Sequence, residues 1–118
     1  MFSLKLKIPM ELNIEKQSSG TVIFFNGSAM GGPDGVRLNE ILHSLLDEGE
    51  KRVVADLADV SFMNSSGLGM LISGVITMRN GGGDLRLSRV PEKISNLIHL
   101  TKLNAIFTTF VSIEEALA

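Results

Sequence analysis

Val53-Val54-Ala55-Asp56-Leu57 is the stretch that best predicts the fold, because a short β-branched apolar run after Lys51 and Arg52 predicts a buried strand. It is followed by Val60–Met63 and then by Asn64-Ser65-Ser66-Gly67-Leu68-Gly69. Apolar residues next recur at the spacing of a helix, at Leu68, Leu71, Ile72, Val75 and Ile76. The stretch therefore predicts a strand that leads into a helix, with Asn64 or Ser65 as the N-cap.

The two serines of this stretch stand where the helix would begin. A hydroxyl there lies beside unsatisfied backbone N–H groups and the positive end of the helix dipole, where an added phosphate is well tolerated. Gly67 and Gly69 each cost about 1 kcal/mol relative to alanine inside a helix, which indicates close approach of another backbone segment or of a binding partner. The pattern indicates a switch site, with helix capping as the alternative role of the serines.

The residues before this stretch predict a β-hairpin. Apolar and polar residues alternate from Leu4 to Ile14, which is typical of a strand with one wet face, and Pro9 favours a sheet edge or a bulge. Gln17–Gly20 predicts a turn and Thr21–Asn26 a second strand.

Helices and strands alternate after the hairpin. The glycine-rich run Gly27–Gly35 predicts a loop, and a helix follows it to a C-cap at Gly49, with Leu38, Ile41, Leu42, Leu45 and Leu46 on its apolar face. Gly81–Gly83 ends the helix that carries the serines, and Asp84–Ser88 predicts a short strand.

The last part of the chain predicts two more helices and one strand. Pro91 at a first helical position opens a helix whose Ile94, Leu97 and Ile98 point inward. Ile106–Val111 predicts the last strand, and Ser112 with Glu115 forms a capping box for a short terminal helix. The order β-β-α-β-α-β-α-β-α predicts one α/β domain over residues 1–118, with a mostly parallel sheet and an antiparallel N-terminal edge.

Composition narrows the function. The 118 residues include 11 basic and 13 acidic side chains, for a net charge of -2, so no basic patch favours nucleic acid or an anionic membrane. The absence of cysteine excludes disulfides and thiolate chemistry. The least charged stretch, residues 60–78, is polar in its first half and too short to cross a bilayer. We expect a soluble, cytoplasmic protein that binds other proteins.

The motifs of enzymes and of cofactor sites do not occur. Met63 stands where a serine-nucleophile elbow needs glycine, and Gly31–Gly35 lacks the ending of a phosphate-binding loop. His43 and His99 fall within predicted helices and are too few for a metal site. Asp56 is expected to end its strand and Asp59 to make a turn bond, while the acidity of either could also contribute to a partner contact. The sequence indicates neither an enzyme, a metal nor a cofactor.

Residues 53–69 resemble the signature of the STAS domain family, typified by bacterial anti-anti-sigma factors. In that signature, a strand that ends in Asp-Leu is followed by an apolar pair and Asp-Ser-Ser-Gly-Leu-Gly. The resemblance continues over residues 79–87, 100–107 and 112–117, and therefore covers nearly the whole chain. It implies the same α/β architecture that the element order predicts.

The resemblance also implies a function and a site. In the family, the first serine of the motif is phosphorylated by an anti-sigma factor that is also a serine kinase, and a PP2C-type phosphatase reverses the modification. Matched by motif, that serine is Ser65. The resemblance also implies that the loop after the second strand lies beside the motif helix and that both face the partner. Together with Asp56, whose acidity could add to a contact, the candidate partner-binding residues are Asn64, Ser65, Ser66, Gly67, Leu68, Gly69, Gly27, Ser28 and Asp56. Asn64 stands where phosphorylated members usually carry Asp.

Two alternatives stay open from the sequence. One is an interaction or scaffold subunit whose serine is never modified, which Asn64 favours. The other is an accessory domain of a transporter that binds a lipid or small ligand, since some STAS relatives support transporters. A homodimer formed by strand addition at the edge near Pro9 is also compatible with the pattern.

Overall fold

The structure, a computed structural model, describes residues 10–118. Its helices and strands follow the predicted order, which is confirmed. In chain order they are β1 (Glu11–Gln17), β2 (Gly20–Ala29), α1 (Pro33–Asp47), β3 (Arg52–Met63), α2 (Ser65–Asn80), β4 (Asp84–Ser88), α3 (Glu92–Leu100), β5 (Thr109–Phe110) and α4 (Ile113–Leu117).

The strands form one five-stranded sheet in the order β1-β2-β3-β4-β5. β1 and β2 are antiparallel and are joined by the two-residue turn Ser18–Ser19, with Gln17 opposite Gly20. The other neighbours pair in parallel, so the predicted mixed sheet is confirmed. The part of the first predicted strand before Met10, including Pro9, lies outside the described residues.

Side chains of β3 alternate between two apolar layers, as expected for a strand with both faces covered. Val53, Ala55 and Leu57 belong to the main core, which also contains the buried leucines of α1 and α2. Val54 belongs to a smaller cluster on α4, with Val22, Ala116 and Leu117. The central strand is thus buried on both sides, which fixes the position from which α2 begins.

β3 is longer than the sequence predicted. Its pairing with β2 shifts by one residue between Phe24 and Asn26 and by one more between Gly27 and Ser28, so β3 carries two extra residues in bulges. At each bulge, successive side chains that face the same side of the sheet are three residues apart instead of two. Leu57, Val60 and Met63 therefore all point into the same core. The predictions that Asp56 ends the strand and that Asp59 makes a turn were wrong, because the strand continues through both.

Other element boundaries also differ from the predictions. β2 continues to Ala29, so Gly27 and Ser28 belong to a strand rather than to a loop. β5 contains only Thr109 and Phe110, which is shorter than the predicted Ile106–Val111. Pro91 is the N-cap of α3 rather than its first residue. Ile76, which fits the apolar spacing used to predict α2, is 52% exposed.

The predicted cap of α4 is confirmed, whereas the C-cap of α1 is Glu48, one residue before the predicted Gly49. Gly49 follows with φ +87°, and its N–H donates to the carbonyl of Leu46 at 3.0 Å, as in a glycine-terminated helix. Ser112 accepts a hydrogen bond from the backbone N–H of Glu115 at 3.1 Å and caps α4.

Candidate functional site

The junction between β3 and α2 is organised by Asn64. Its backbone is extended, with φ -105° and ψ -176°, and its side-chain Oδ1 accepts a hydrogen bond from the Gly67 N–H at 2.8 Å. Its carbonyl accepts the first helical bond, from the Leu68 N–H at 3.0 Å. Asn64 is therefore the N-cap, as predicted, and it satisfies one of the orphan N–H groups of the helix start.

Ser65 and Ser66 are the first two residues of α2, and both are exposed. The first turn of α2 contains no acidic side chain, so the helix dipole there is not already compensated by a carboxylate from that turn. The side chain that caps the helix is that of Asn64, so the serine hydroxyls are not needed as N-cap acceptors. The geometry thus presents two hydroxyl groups to solvent at the positive end of a helix.

The tip of α2 packs directly on the end of β2. A β carbon at Gly67 would lie 1.9 Å from the carbonyl oxygen of Ala29, and one at Gly31 would lie 2.8 Å from the carbonyl oxygen of Ser66. The Asn64 N–H also donates to the Ala29 carbonyl, at 3.3 Å. The prediction that the segment after the second strand lies beside the motif helix is confirmed, and both glycines are required by backbone contact.

Gly69 differs from Gly67 although it is only two residues further along. It is exposed, and within residues 10–118 no atom beyond its own stretch of helix lies within 4 Å of the position that a β carbon would occupy. Packing inside the domain therefore gives no reason for glycine at this position. The absence of a side chain leaves a strip of bare helix backbone next to the two serines.

The structure separates the predicted contact residues by exposure. Ser65, Ser66 and Gly69 are exposed, and Asn64 and Ser28 are half-buried. Gly67, Leu68, Gly27 and Asp56 are buried, with Leu68 only 2% exposed. The residues of the first group can contact another protein directly, whereas those of the second group only support the surface residues from the interior. A direct contact of a partner with the Asp56 carboxylate, expected from the sequence, is not compatible with its 0% exposure.

Asp56 instead joins β3 to the segment that follows β4. Its Oδ1 accepts hydrogen bonds from the Ser88 hydroxyl and from Arg89 Nε, and its Oδ2 accepts one from Arg89 Nη2, all at 2.8 Å. The hydrogen bonds from Arg89 to Asp56 raise the pKa of the Arg89 guanidinium above its usual range, so it stays charged. The buried Asp56 carboxylate thus forms a bidentate ion pair with Arg89, whose side chain is 45% exposed.

Sequence reasoning did not find Arg89, and its backbone carries a further constraint. Arg89 has φ +48°, a left-handed conformation that is unfavourable for residues other than glycine. Its neighbours in sequence, Ser88 and Val90, give no pattern that marks the position. The bidentate bond to Asp56 gives a physical reason for arginine here despite the backbone penalty.

A surface groove runs beside the β3–α2 junction. It has a volume of about 470 Å³ and is lined by residues 60–63 of β3 and residues 91–94 at the start of α3. Phe62, which is 52% exposed, contributes an apolar wall, while Glu92 and Lys93 contribute charges. Since Met63 directly precedes the N-cap, the groove adjoins the serine-bearing helix start and extends the surface that a partner could cover.

The described part of the chain contains neither a cluster of metal ligands nor a membrane-spanning helix. Among residues 10–118, no three histidine, cysteine, aspartate or glutamate side chains are grouped closely enough to hold an ion. His43 and His99 are exposed on different helices, α1 and α3. No helix in this part of the chain has both the length and the apolar character needed to cross a bilayer.

Comparison with known proteins agrees with the signature. The sequence model of the STAS domain matches residues 13–116. An anti-sigma-B factor antagonist of Staphylococcus epidermidis is 33% identical over 66 residues, which is 56% of this chain and 61% of that relative. The match thus spans about three-fifths of the relative's length. The anti-sigma-B factor antagonist of Staphylococcus aureus (strain NCTC 8325 / PS 47) is 28% identical over 98 residues, or 80% of this chain and 88% of that protein.

Solved structures show the same fold. An anti-sigma factor antagonist from Mycobacterium paratuberculosis superimposes with a TM-score of 0.76 at 21% identity, covering 95% of this chain and 96% of that one. The Bacillus cell fate determinant SpoIIAA in its phosphorylated form gives a TM-score of 0.66 at 17% identity, covering 90% of this chain and 96% of that one. At these identities, the likeness concerns the arrangement of strands and helices.

Proposed function

The chain belongs to the STAS domain family, and on that premise we propose that it is an anti-sigma factor antagonist controlled by phosphorylation of Ser65. In this proposal, the unmodified protein binds a serine-kinase anti-sigma factor through the start of α2, and the phosphorylated protein is released. A PP2C-type phosphatase restores the binding form. The protein acts in the cytoplasm by binding, without catalysis of its own and without a cofactor.

The observation that carries the proposal is the exposure of Ser65 on a helix tip that is held in place by its neighbours. Ser65 is exposed while the residues around it are fixed by the Asn64 cap and by the contact of Gly67 with Ala29. A kinase can therefore reach the hydroxyl without unfolding the helix start. The relatives named anti-sigma-B factor antagonist support the same function.

Phosphorylation at this position should change binding far more than folding. The phosphate adds about -1.5 to -2 charges at neutral pH. At an exposed helix N-terminus, such a charge is favourable by roughly 0.3–1 kcal/mol, so the domain tolerates it. At an interface, a like-charge clash or an unpaired buried charge removes several kcal/mol of binding energy. The modification is thus suited to releasing a partner from an intact domain.

The docking surface that we propose combines hydroxyl groups, bare backbone and an apolar groove. Ser65 and Ser66 supply hydrogen-bonding groups, and Gly69 permits close approach of the partner's backbone. The groove beside Phe62 offers room for an apolar side chain. An interface of this kind would place the phosphorylated atom within the contact, where added charge weakens binding most.

The experiment combines the purified full chain, ATP and the kinase-type anti-sigma factor that co-purifies with it. Mass spectrometry should show a gain of about 80 Da on the peptide that contains Ser65, which corresponds to one phosphoryl group. S65A should lose the mass gain and S66A, its exposed neighbour, should keep it, while each variant should still bind the partner, weakened by no more than about 0.5–1.5 kcal/mol for one lost hydrogen bond. S65E should bind the partner at least about tenfold more weakly, as expected when charge enters an interface. Equal affinity of S65E and the unmodified protein would rule out control by charge.

A second candidate function is a constitutive interaction subunit whose serine is never modified. The observation that favours it is Asn64, whose amide caps the helix but offers no carboxylate beside the acceptor hydroxyl. Stable binding to the partner without any mass gain in the presence of ATP would favour this candidate. The N64D variant separates the two further, because a kinase that needs the carboxylate should phosphorylate N64D and leave the unmodified sequence unphosphorylated.

A further inference from the structure

β1 forms one edge of the sheet, and its outer side pairs with no other strand within residues 10–118. The strand is 7 residues long. An unpaired edge of this length presents backbone N–H and C=O groups that can bind another strand.

The hairpin geometry identifies the backbone groups that are available. Gln17 and Gly20 flank a two-residue turn, and such a turn is closed by a hydrogen bond between these two residues. Hydrogen-bonded and non-bonded pairs alternate along an antiparallel ladder, so Glu15, Asn13 and Glu11 also bond to β2. Their neighbours Leu12, Ile14 and Lys16 therefore direct their N–H and C=O groups toward the outer side of the sheet.

We propose that two copies of this chain pair through β1, in antiparallel orientation, around a two-fold axis at Ile14. In this arrangement, Ile14 of one copy lies opposite Ile14 of the other. Leu12 of each copy lies opposite Lys16 of the other copy. All the outward backbone groups of Leu12, Ile14 and Lys16 then find partners, and the two sheets join into one. The interface is self-complementary, as a two-fold dimer requires.

The side chains of β1 fit this register. On the face of the sheet that carries Asn13, Glu11 lies opposite Gln17 and Asn13 lies opposite Glu15, so each carboxylate meets an amide that can donate to it. Moving the axis to Asn13 sets Glu11 opposite Glu15, and moving it to Glu15 sets two copies of Glu15 against each other. Since like charges directly opposite are unfavourable, both of these shifted registers are disfavoured.

The apolar side chain at the centre also favours a second copy. Ile14 is 47% exposed at the rim of a shallow groove between β1 and α1. The second copy places another isoleucine directly beside it, which removes apolar surface of both from water. A contact limited to one strand buries less than a standard interface, so we expect a weak dimer, with a dissociation constant on the order of 100 μM.

The proposed dimer is compatible with the proposed function but does not depend on it. β1 contains none of the residues at the start of α2, so each copy keeps its own Ser65. A dimer would therefore carry two phosphorylation sites on one continuous sheet. Failure of the dimer would leave the Ser65 proposal unaffected, and the reverse also holds, because the experiments measure self-association and partner binding separately.

Sedimentation equilibrium of the full chain from about 10 μM to 1 mM tests the association itself. We expect the average mass to rise from that of a monomer toward that of a dimer across this range. A monomer at every concentration would overturn the proposal, and this is also the result expected if residues 1–9 of the same chain occupy the edge. Masses beyond a dimer would overturn it as well, because the axis at Ile14 closes the assembly at two copies.

Opposite charges at Asn13 test the register. N13E places a carboxylate opposite Glu15 of the second copy and should weaken the dimer about three- to thirtyfold, whereas N13K places an ammonium there and should strengthen it by a similar factor. S73E and S73K, at an exposed position of α2, are the matched controls and should leave the association unchanged. Equal effects of N13E and N13K would place the contact elsewhere on the molecule and overturn the proposal.

Amide hydrogen exchange at low and high concentration tests the same register without any substitution. The amides of Leu12, Ile14 and Lys16 should exchange at least about threefold more slowly at 1 mM than at 10 μM, because they bond only in the dimer. The amides of Asn13 and Glu15, already bonded to β2, should change little. A dimer whose Ile14 amide exchanges equally fast at both concentrations would contradict pairing through β1.

Discussion

A β carbon on Gly67 would lie 1.9 Å from the carbonyl oxygen of Ala29, so the first turn of α2 can rest on β2 only because residue 67 has no side chain. This contact sets the height and direction of the helix start. It therefore also sets where Ser65 projects.

Replacing Gly67 by alanine should push the helix start away from β2. Because the obstacle is backbone rather than a flexible side chain, we expect G67A to destabilise the domain by about 1–3 kcal/mol, as overpacking does. G69A is the matched control on the same helix, where the space is open, and it should stabilise the domain by about 0.5–1 kcal/mol. Urea denaturation of the two variants and the parent chain measures both changes. A G67A variant as stable as G69A would show that the helix start moves freely.

G69A should also weaken binding of the anti-sigma factor while it stabilises the domain. The added methyl group would stand on the bare strip beside Ser65 and Ser66, where we propose close approach of the partner. Calorimetry of the full chain with its partner should show an affinity loss of about 1–3 kcal/mol, comparable to overpacking in a core. Unchanged affinity would place this part of α2 outside the interface.

Removal of the Asn64 side chain should weaken the helix start. Its Oδ1 accepts the Gly67 N–H at 2.8 Å, so N64A should cost about 1 kcal/mol of unfolding free energy. N64D keeps an accepting oxygen in the same place and adds a charge that the helix dipole favours, so it should stay within about 0.5 kcal/mol of the parent chain. Thermal and urea denaturation report the difference. If N64D were as unstable as N64A, the cap geometry would not be the source of the effect.

Loss of the Arg89 side chain should leave the Asp56 carboxylate buried without its countercharge. Since Asp56 is 0% exposed and Arg89 is 45% exposed, we expect R89A to cost about 2–4 kcal/mol, toward the low end of values for broken buried pairs. R89G removes the same side chain but accepts φ +48° more easily, and it should recover about 1 kcal/mol relative to R89A. Equal stability of R89A and R89G would argue against backbone strain at this position.

The pH dependence of this pair follows from the direction of the Arg89 shift. The hydrogen bond with Asp56 raises the pKa of Arg89 in the folded state, so its contribution is fully present below the pKa of the unfolded chain. It is lost only when the pH rises through the still higher folded value, far into the alkaline range. The stability difference between R89A and the parent chain should therefore show no loss from Arg89 titration between pH 6 and pH 9. Urea denaturation across that range checks the expectation.

The order of strands and helices and the start of α2 could be predicted from the sequence, because both depend on local sequence patterns. Asn64 is an amide at the end of an apolar strand and before a helical pattern, and it caps the helix as such a residue should. Gly67 was also identified from the sequence, which left open whether a backbone segment of this chain or a binding partner approaches it. Only the position of Ala29 in space shows that Gly67 is required by backbone contact, whereas Gly69 is not.

The errors arose where long-range contacts override local patterns. Asp59 predicted a turn because aspartate favours turns, but pairing with β2 keeps it in the strand. Leu57, Val60 and Met63 recur at a spacing of three, which does not match the usual strand period of two. The bond between Asp56 and Arg89 joins residues 33 positions apart and has no local pattern at all.

The two bulges of β3 impose a rule on how this segment can change in length. Deleting one residue from either bulge would restore the regular spacing of two, so Leu57, Val60 and Met63 would still face the core and β3 would stay in register with β2. The same deletion in the regular part of β3, between Arg52 and Asp56, would turn the neighbouring side chains to the opposite face. Loss of a single residue is therefore tolerated better at the bulges than in the regular part of the strand.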